Sequence, residues 1–143
     1  MAKKSLIGAG AILLDFKREC MLVVRGQAHG KWGPSKGHRD IYDESQMEDP
    51  CDCAVREMME ETGLDISDLI IGDTPTTTYS NYIFYLVEVD STRYIPIVGD
   101  PREICEVKWM SFEEARSLDR ENRNVHLSSL VKDLERIRNR LIL

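Results

Sequence analysis

Arg56-Glu57-Met58-Met59-Glu60-Glu61-Thr62-Gly63-Leu64 carries the densest physical signal in the chain. Upstream, Asp49-Pro50 has the form of a helix start, with Asp as N-cap and Pro at the first helical position. Gly63 has the form of the stop, where a left-handed C-cap is cheap. The spacing predicts a helix over residues 50–62. Glu57, Glu60 and Glu61 fall at i, i+3 and i+4 and share one face. Val55, Met58, Met59 and Thr62 are expected on the opposite stripe, packed on the core.

That acidic face breaks two local rules. Like charges at helical neighbour spacing repel by roughly 0.2–0.5 kcal/mol per pair. Glu60 and Glu61 also sit in the last turn, where the helix dipole disfavours anions. A hard divalent cation reverses both penalties, because Mg²⁺ takes oxygen ligands and is commonly held by carboxylates together with substrate phosphates. A merely solvated acidic face is the plainer alternative, so the neighbouring sequence has to decide.

The chain has 143 residues, about one domain's worth, and is expected to form a single domain over 1–143. Its 42% hydrophobic and 31% charged residues are an ordinary globular balance. No apolar run approaches the ~20 residues needed to span a bilayer. Residues 1–15 are basic and then apolar, but Asp15 interrupts the apolar part, so a strand is expected rather than a signal segment, and a cytoplasmic location. Cys20, Cys51, Cys53 and Cys105 show neither a secreted framework nor a paired zinc spacing, so reduced thiols are expected, with Cys105 in the core. The formal net charge of −6 argues against a broad grip on long nucleic acid. Lys132, Arg136 and Arg140 nevertheless recur every four residues and would line one side of a helix.

Residues 5–14 and 20–25 are apolar and β-rich, which suggests a hairpin. Residues 26–48 read as a long loop without helical period. Residues 78–89, 93–98 and 104–110 read as strands. Ser111-Phe112-Glu113-Glu114 is a capping-box opening for a short helix, and Val125 to Leu141 trace a terminal amphipathic helix. Together these predict an α+β fold, a mixed β-sheet covered by helices as an α/β/α sandwich.

Counting back from Arg56, seven residues separate it from Glu48, and ten separate Glu48 from Gly37. From Glu48 to Leu64 the pattern resembles the box of the Nudix hydrolases, G-x5-E-x7-R-E-U-x-E-E-x-G-U, where U is aliphatic. Eight positions at fixed spacing make the match far more specific than a lone glycine motif. Leu22-Val23-Val24-Arg25, Lys31-Trp32-Gly33-Pro34 and Val107-Lys108-Trp109-Met110 also resemble segments of that family. One departure stands out: ten residues lie between Gly37 and Glu48 where the family has five. An insertion at a loop tip costs little closure entropy. It leaves open whether Glu48 reaches the site or whether Asp43 or Glu44 intrudes.

The resemblance implies that the Gly37 carbonyl, Glu57, Glu60 and Glu61 hold one to three Mg²⁺ or Mn²⁺ ions. It implies that Arg56 orients a glutamate, with Glu48 as its partner. The reaction implied is in-line attack of water on a phosphoanhydride in a nucleoside diphosphate linked to a group X. Glu61 is one candidate base; Glu103 matches a glutamate of dinucleoside-polyphosphate enzymes, and Glu106 is the fallback. Lys36, Arg25, Trp32 and Tyr82 are candidates for substrate contact, with Tyr79 and His38 behind them. Trp32-Gly33-Pro34-Ser35-Lys36-Gly37-His38 is similar to a stretch of diadenosine tetraphosphate hydrolases, and a comparable one occurs in the mRNA-decapping branch. A dinucleoside polyphosphate is therefore the first expectation for the substrate. An RNA cap or 5′ end, or a diphosphoinositol polyphosphate, is the alternative. A non-catalytic nucleotide-binding module is the reading from another class. The expected partner is a small nucleotide, with no membrane, for a monomer or homodimer.

Overall fold

The computed structural model describes residues 6–142. Its centre is β1 (Gly8–Asp15), which is buried along its whole length. Successive strand residues point to opposite faces, so β1 feeds two cores. Ile12 and Leu14 join Met21, Val23, Phe84 and Met110 in one. Ala9, Ala11 and Leu13 join Cys53, Ala54 and Met58 in the other. Burial on both faces explains the nearly unbroken apolar run along this strand.

A turn at 16–19 returns the chain into β2 (Cys20–Gly26), and the two strands pair only near that turn, Leu14 with Met21 and Asp15 with Cys20. Beyond it they splay and take separate partners. β3 (Trp32–Gly33) adds to β2, and β4 (Ser35–His38) adds to β1 with Ala9 opposite Gly37. β5 (Ile41–Asp43) and β6 (Gln46–Met47) form a separate small hairpin. α1 (Pro50–Thr62) follows; the Asp49 side chain accepts from the Cys51 amide at 2.8 Å, and Gly63, at φ 73°, donates its amide to the Met59 carbonyl. β7 (Thr76–Tyr79) pairs antiparallel with β8 (Tyr82–Glu88), and β8 runs parallel to β1. β9 (Ile104–Ser111) pairs antiparallel with β2. α2 (Phe112–Ser117) starts where Ser111 Oγ accepts from the Glu114 amide, and α3 (Val125–Ile142) closes the fold. α1 residues pack in one core and α2 and α3 residues in the other, so the mixed sheet lies between them, as the α/β/α expectation has it.

Several sequence expectations are corrected. The stretch 78–89 is two strands, because Ser80 and Asn81, at φ 50° and 68°, make a tight hairpin turn between them. Residues 93–98 are no strand: a 3-10 turn at Ser91–Arg93 is followed by extended chain in which Ile95 and Ile97 are exposed. The expected loop at 26–48 contains β3 to β6. Cys105 is only half-buried; Cys53 is the buried thiol, and all four cysteines are free. On α1, Met59 is exposed while Cys53, Ala54, Glu57, Met58, Glu61 and Thr62 are buried. The core stripe and the carboxylate stripe therefore lie side by side on the covered face, not on opposite faces. Residue 5, the start of the first expected strand, lies outside the described residues.

Candidate active site

α1 packs on β1 and β4, and this contact carries two of its three glutamates nearly out of solvent, Glu57 at 7% and Glu61 at 6% exposure. Gly37 on β4 explains how Glu57 fits: a Cβ there would lie 2.0 Å from the Glu57 carboxyl carbon. The next residue back, Lys36, donates its amide to Glu61 Oε1 at 3.2 Å. Beneath them the Cys53 thiol donates to the Gly37 carbonyl at 3.5 Å.

Glu103 reaches the same place on a strap of extended chain that ties down the end of α1. The Ile97 and Gly99 amides donate to the Thr62 and Glu61 carbonyls at 2.9 and 3.1 Å, satisfying groups that a helix C-terminus leaves open. The Gln27 amide then donates to the Glu103 carbonyl at 2.7 Å, and the Gln27 side chain donates to the Pro101 carbonyl at 3.0 Å. As a result Glu57, Glu61 and Glu103 each present an oxygen within 4.8 Å of the others.

Arg56 is the hub on the other side. Nε and Nη2 donate to the two carboxylate oxygens of Glu48 at 3.0 and 2.8 Å, and Nη1 donates to Glu57 at 3.0 Å and to Glu60 at 3.2 Å. Glu48 is 4% exposed, and the Arg56 guanidinium pulls its pKa below the usual carboxylate value. Glu60 stays half-exposed, turned to Arg56, at the edge of the same cleft. The ten residues after Gly37 do not displace Glu48. They form the β5–β6 hairpin, closed by the Glu48 amide on the Asp40 carbonyl at 2.8 Å and by the Asp40 amide on Glu48 Oε1 at 3.1 Å. Asp43 caps the hairpin's own turn at Ser45, away from the carboxylates.

The electrostatics follow from this packing. Burial pushes Glu57 up to about 7, with Arg56 pulling it back and Glu60 adding to the rise. Burial pushes Glu61 up to about 8, with Glu57 beside it working the same way. Crowded, desolvated carboxylates resist ionising together. An all-oxygen set of hard donors is able to take Mg²⁺ or Mn²⁺, which would remove that resistance.

The cleft in front of the cluster has a volume of about 420 Å³ and is walled by Lys36, His38, Asp40 and Tyr82. Lys36 Nζ stands 4.8 Å over the Tyr82 ring, which also meets the rings of His38, Phe84 and His126. Other sequence candidates lie elsewhere. Trp32 is 6% exposed, with Arg25 and Lys108 over its ring, so it offers no open face for stacking. Arg25 is bound to the Gly30 carbonyl and Glu106, which also removes Glu106 from the cluster. Tyr79 donates to Asp133. The sequence reading did not single out His126, which is buried beneath Tyr82 with both ring nitrogens unpartnered. Nor did it single out the strap residues Gly99 and Gln27, whose only sequence signal was a glycine and a polar loop.

The family model described as the NUDIX domain matches residues 4–131. The mRNA-decapping enzyme subunit 2 of Arabidopsis thaliana is 30% identical over 109 residues, 70% of this chain and 26% of that protein. The mRNA decapping complex subunit 2 of Schizosaccharomyces pombe is 47% identical over 62 residues, 43% of this chain and 8% of that protein. The chain thus spans about a quarter of the length of the first of these relatives and under a tenth of the second. A C. elegans Ap4A hydrolase in a binary complex superposes with a TM-score of 0.66 at 21% identity, covering 94% of this chain and 99% of that one. No helix among the described residues is long and apolar enough to cross a membrane. With the box from Glu48 to Leu64 folded onto one cleft and the family model running through nearly the whole sequence, the chain belongs to the Nudix family.

Proposed function

We propose that this protein is a Mg²⁺- or Mn²⁺-dependent pyrophosphohydrolase that cleaves a phosphoanhydride in a nucleoside diphosphate linked to X. The convergence of the Glu57, Glu61 and Glu103 oxygens within 4.8 Å carries the reading. These three, with the Gly37 carbonyl and with Glu60 at the rim, are the residues that would hold the ions. A bound divalent ion supplies positive charge to the phosphate oxygens and acidifies the attacking water. Glu103 is the exposed member of the cluster and is the residue that would accept the attacking water's proton, on the oxygen it does not offer to an ion. Lys36 is a point charge for the non-bridging oxygens, placed over Tyr82 at the mouth of the cleft. Arg56 acts through others: it aims Glu57 and Glu60, and Glu48 fixes Arg56.

For X, the similarity to two decapping subunits supports an RNA 5′ end. This reverses the order expected from the sequence, because Trp32 and Tyr82 are too buried to stack a second base freely. A dinucleoside polyphosphate is the second reading, favoured by Lys36 in the Trp32-to-His38 stretch. Wild type, Glu57→Gln, Glu61→Gln and Glu103→Gln are to be assayed on capped RNA, diadenosine tetraphosphate and ADP-ribose, with Mg²⁺ and with EDTA. Hydrolysis should need the metal, and the Glu57 and Glu61 variants should lose at least about a hundredfold in kcat, the scale on which general acid–base and metal contributions act. Near wild-type rates in both variants overturn the assignment.

A further inference from the structure

A second cleft, of about 550 Å³, is basic. Lys31, Arg120, Arg123 and Lys132 line it with Ser128 and Ser129, and no carboxylate does. Seven of the twelve arginines of this acidic chain find an anion: Arg18, Arg25, Arg56, Arg93, Arg102, Arg136 and Arg138 sit in ion pairs. Among the described residues the four cations of the cleft sit in none. Arg123 Nε is also buried without a hydrogen-bond partner, a costly state for a charged group that an anion would relieve.

The fold builds this arrangement from distant segments. Trp32 bridges to Arg123, and the Asn124 amide donates to the Trp32 carbonyl at 2.9 Å, which sets Lys31 beside Arg123. Asn124 Oδ1 accepts from the Leu127 amide and so starts α3, whose first two turns deliver Ser128, Ser129 and Lys132. Lys31 also lines a smaller cleft together with Asn124, Lys36 and Glu61. The cations therefore run from Lys36, next to the carboxylate cluster, through Lys31 into the basic cleft. No aromatic residue lines it, so it offers charge and hydroxyls but no platform for a base.

We propose that this cleft binds phosphate groups, holding the outer phosphates of a substrate whose scissile anhydride lies at Glu57, Glu61 and Glu103. The substrate role rests on the hydrolase reading; the binding does not. The phosphates belong either to a phosphodiester chain or to a compact, multiply phosphorylated molecule, and the two are separable by experiment.

In EDTA, where the carboxylate cluster cannot recruit phosphate through a metal, wild type is titrated with a short single-stranded RNA and with inorganic tripolyphosphate. At least one should bind. For RNA gripped by four cations, at a slope of about 0.7 per contact, affinity should fall about 50-fold from ~50 to ~200 mM salt. The Arg120→Glu, Lys132→Glu double variant, checked for an unchanged melting temperature, should lose this binding. RNA binding alone assigns a phosphodiester chain, and tripolyphosphate binding alone assigns a compact ligand. Failure of wild type to bind either probe, or equal binding by the folded double variant, overturns the proposal. An inactive hydrolase panel would leave these titrations unaffected, so the two failures are distinguishable.

Discussion

Arg56 and Glu48 meet fork to fork, with Nε 3.0 Å from Oε2 and Nη2 2.8 Å from Oε1. Two parallel bonds hold the guanidinium in one plane, and only in that plane does Nη1 reach both Glu57 and Glu60. Lysine has no such fork. Arg56→Lys should therefore lose most activity while keeping the charge. Arg56→Ala, which leaves buried Glu48 with only the Asp40 amide, should also cost about 3 kcal/mol, the low end for a broken buried pair because solvent reaches Arg56. Denaturant melts and kcat on one substrate separate the two effects; a fully active Arg56→Lys would refute the positioning role.

Glu48 sets a pH limit of its own. Its folded pKa lies below the unfolded value of 4.5, so its contribution to stability is present above about pH 4.5. That contribution is lost as pH falls through the depressed folded value. Glu48→Gln should flatten the acid limb of the stability curve, measured as melting temperature below pH 4.5. An unchanged limb would show that the fork contributes no pH-linked stability.

Glu57 and Glu61 act in the opposite sense. Folding raises them from 4.5 to about 7 and about 8, so the metal-free folded state binds more protons than the unfolded chain across that window. Their contribution to stability in EDTA should therefore fall as pH rises from 4.5 to 8, and above pH 6.5, where His126 and Glu48 no longer oppose it, so should the total. Excess Mg²⁺ should abolish the slope, because a bound ion favours the ionised carboxylates, and should release protons near pH 7. Melts at several pH values with and without Mg²⁺, and calorimetry in two buffers of different ionisation enthalpy, test this. Rising stability between pH 6.5 and 8 in EDTA would contradict it.

Much of this site was legible because its signals are local. Asp49, Pro50 and Gly63 bound α1 by cap chemistry alone, and the glutamate spacing lies on one helix. What the spacing could not show is how the helix is rotated against its neighbours. Gly37 on β4 and the Gly99 strap decide that, and both contacts are distant in sequence. The error at 93–98 has the same origin. Ile95 and Ile97 alternate like a strand, yet the segment finds the open end of a helix rather than a sheet edge. At 78–89 the aromatic alternation ran through Ser80-Asn81 and hid a turn that only the positive φ values reveal. Glu103 was reachable from the sequence only through the family resemblance.

His126 lies 5.1 Å from Tyr82 and 5.4 Å from Phe84, centroid to centroid, with neither ring nitrogen satisfied. Burial first, and then the Lys36 charge, depress its pKa to about 4. The unfolded chain accepts this proton more readily, so the His126 contribution should weaken the fold as pH drops from 6.5 toward 4, against the opposite trend of Glu57 and Glu61. His126→Phe should raise the melting temperature at every pH, by about 1 kcal/mol or more for the unpaired polar atoms removed, with a larger gain at pH 5 than at pH 8. A loss of stability at pH 8 would mean that the ring nitrogens have a partner in solution.

Gly99 decides whether Glu103 belongs to the cluster. A Cβ at this position would stand 2.1 Å from the Glu60 carbonyl oxygen, a backbone atom held in the last turn of α1. The strap would have to lift, and its amide bond to the Glu61 carbonyl would go with it. Gly99→Ala should cost about 1–3 kcal/mol, as overpacking usually does. It should also withdraw Glu103 from Glu57 and Glu61. Gln27→Ala loosens the same strap from its other end without a clash and should act in the same direction, more weakly. The readout is Mn²⁺ affinity and the pH profile of kcat in variants shown to be folded. Both should shift toward those of Glu103→Gln, whereas destabilisation alone would leave them in place.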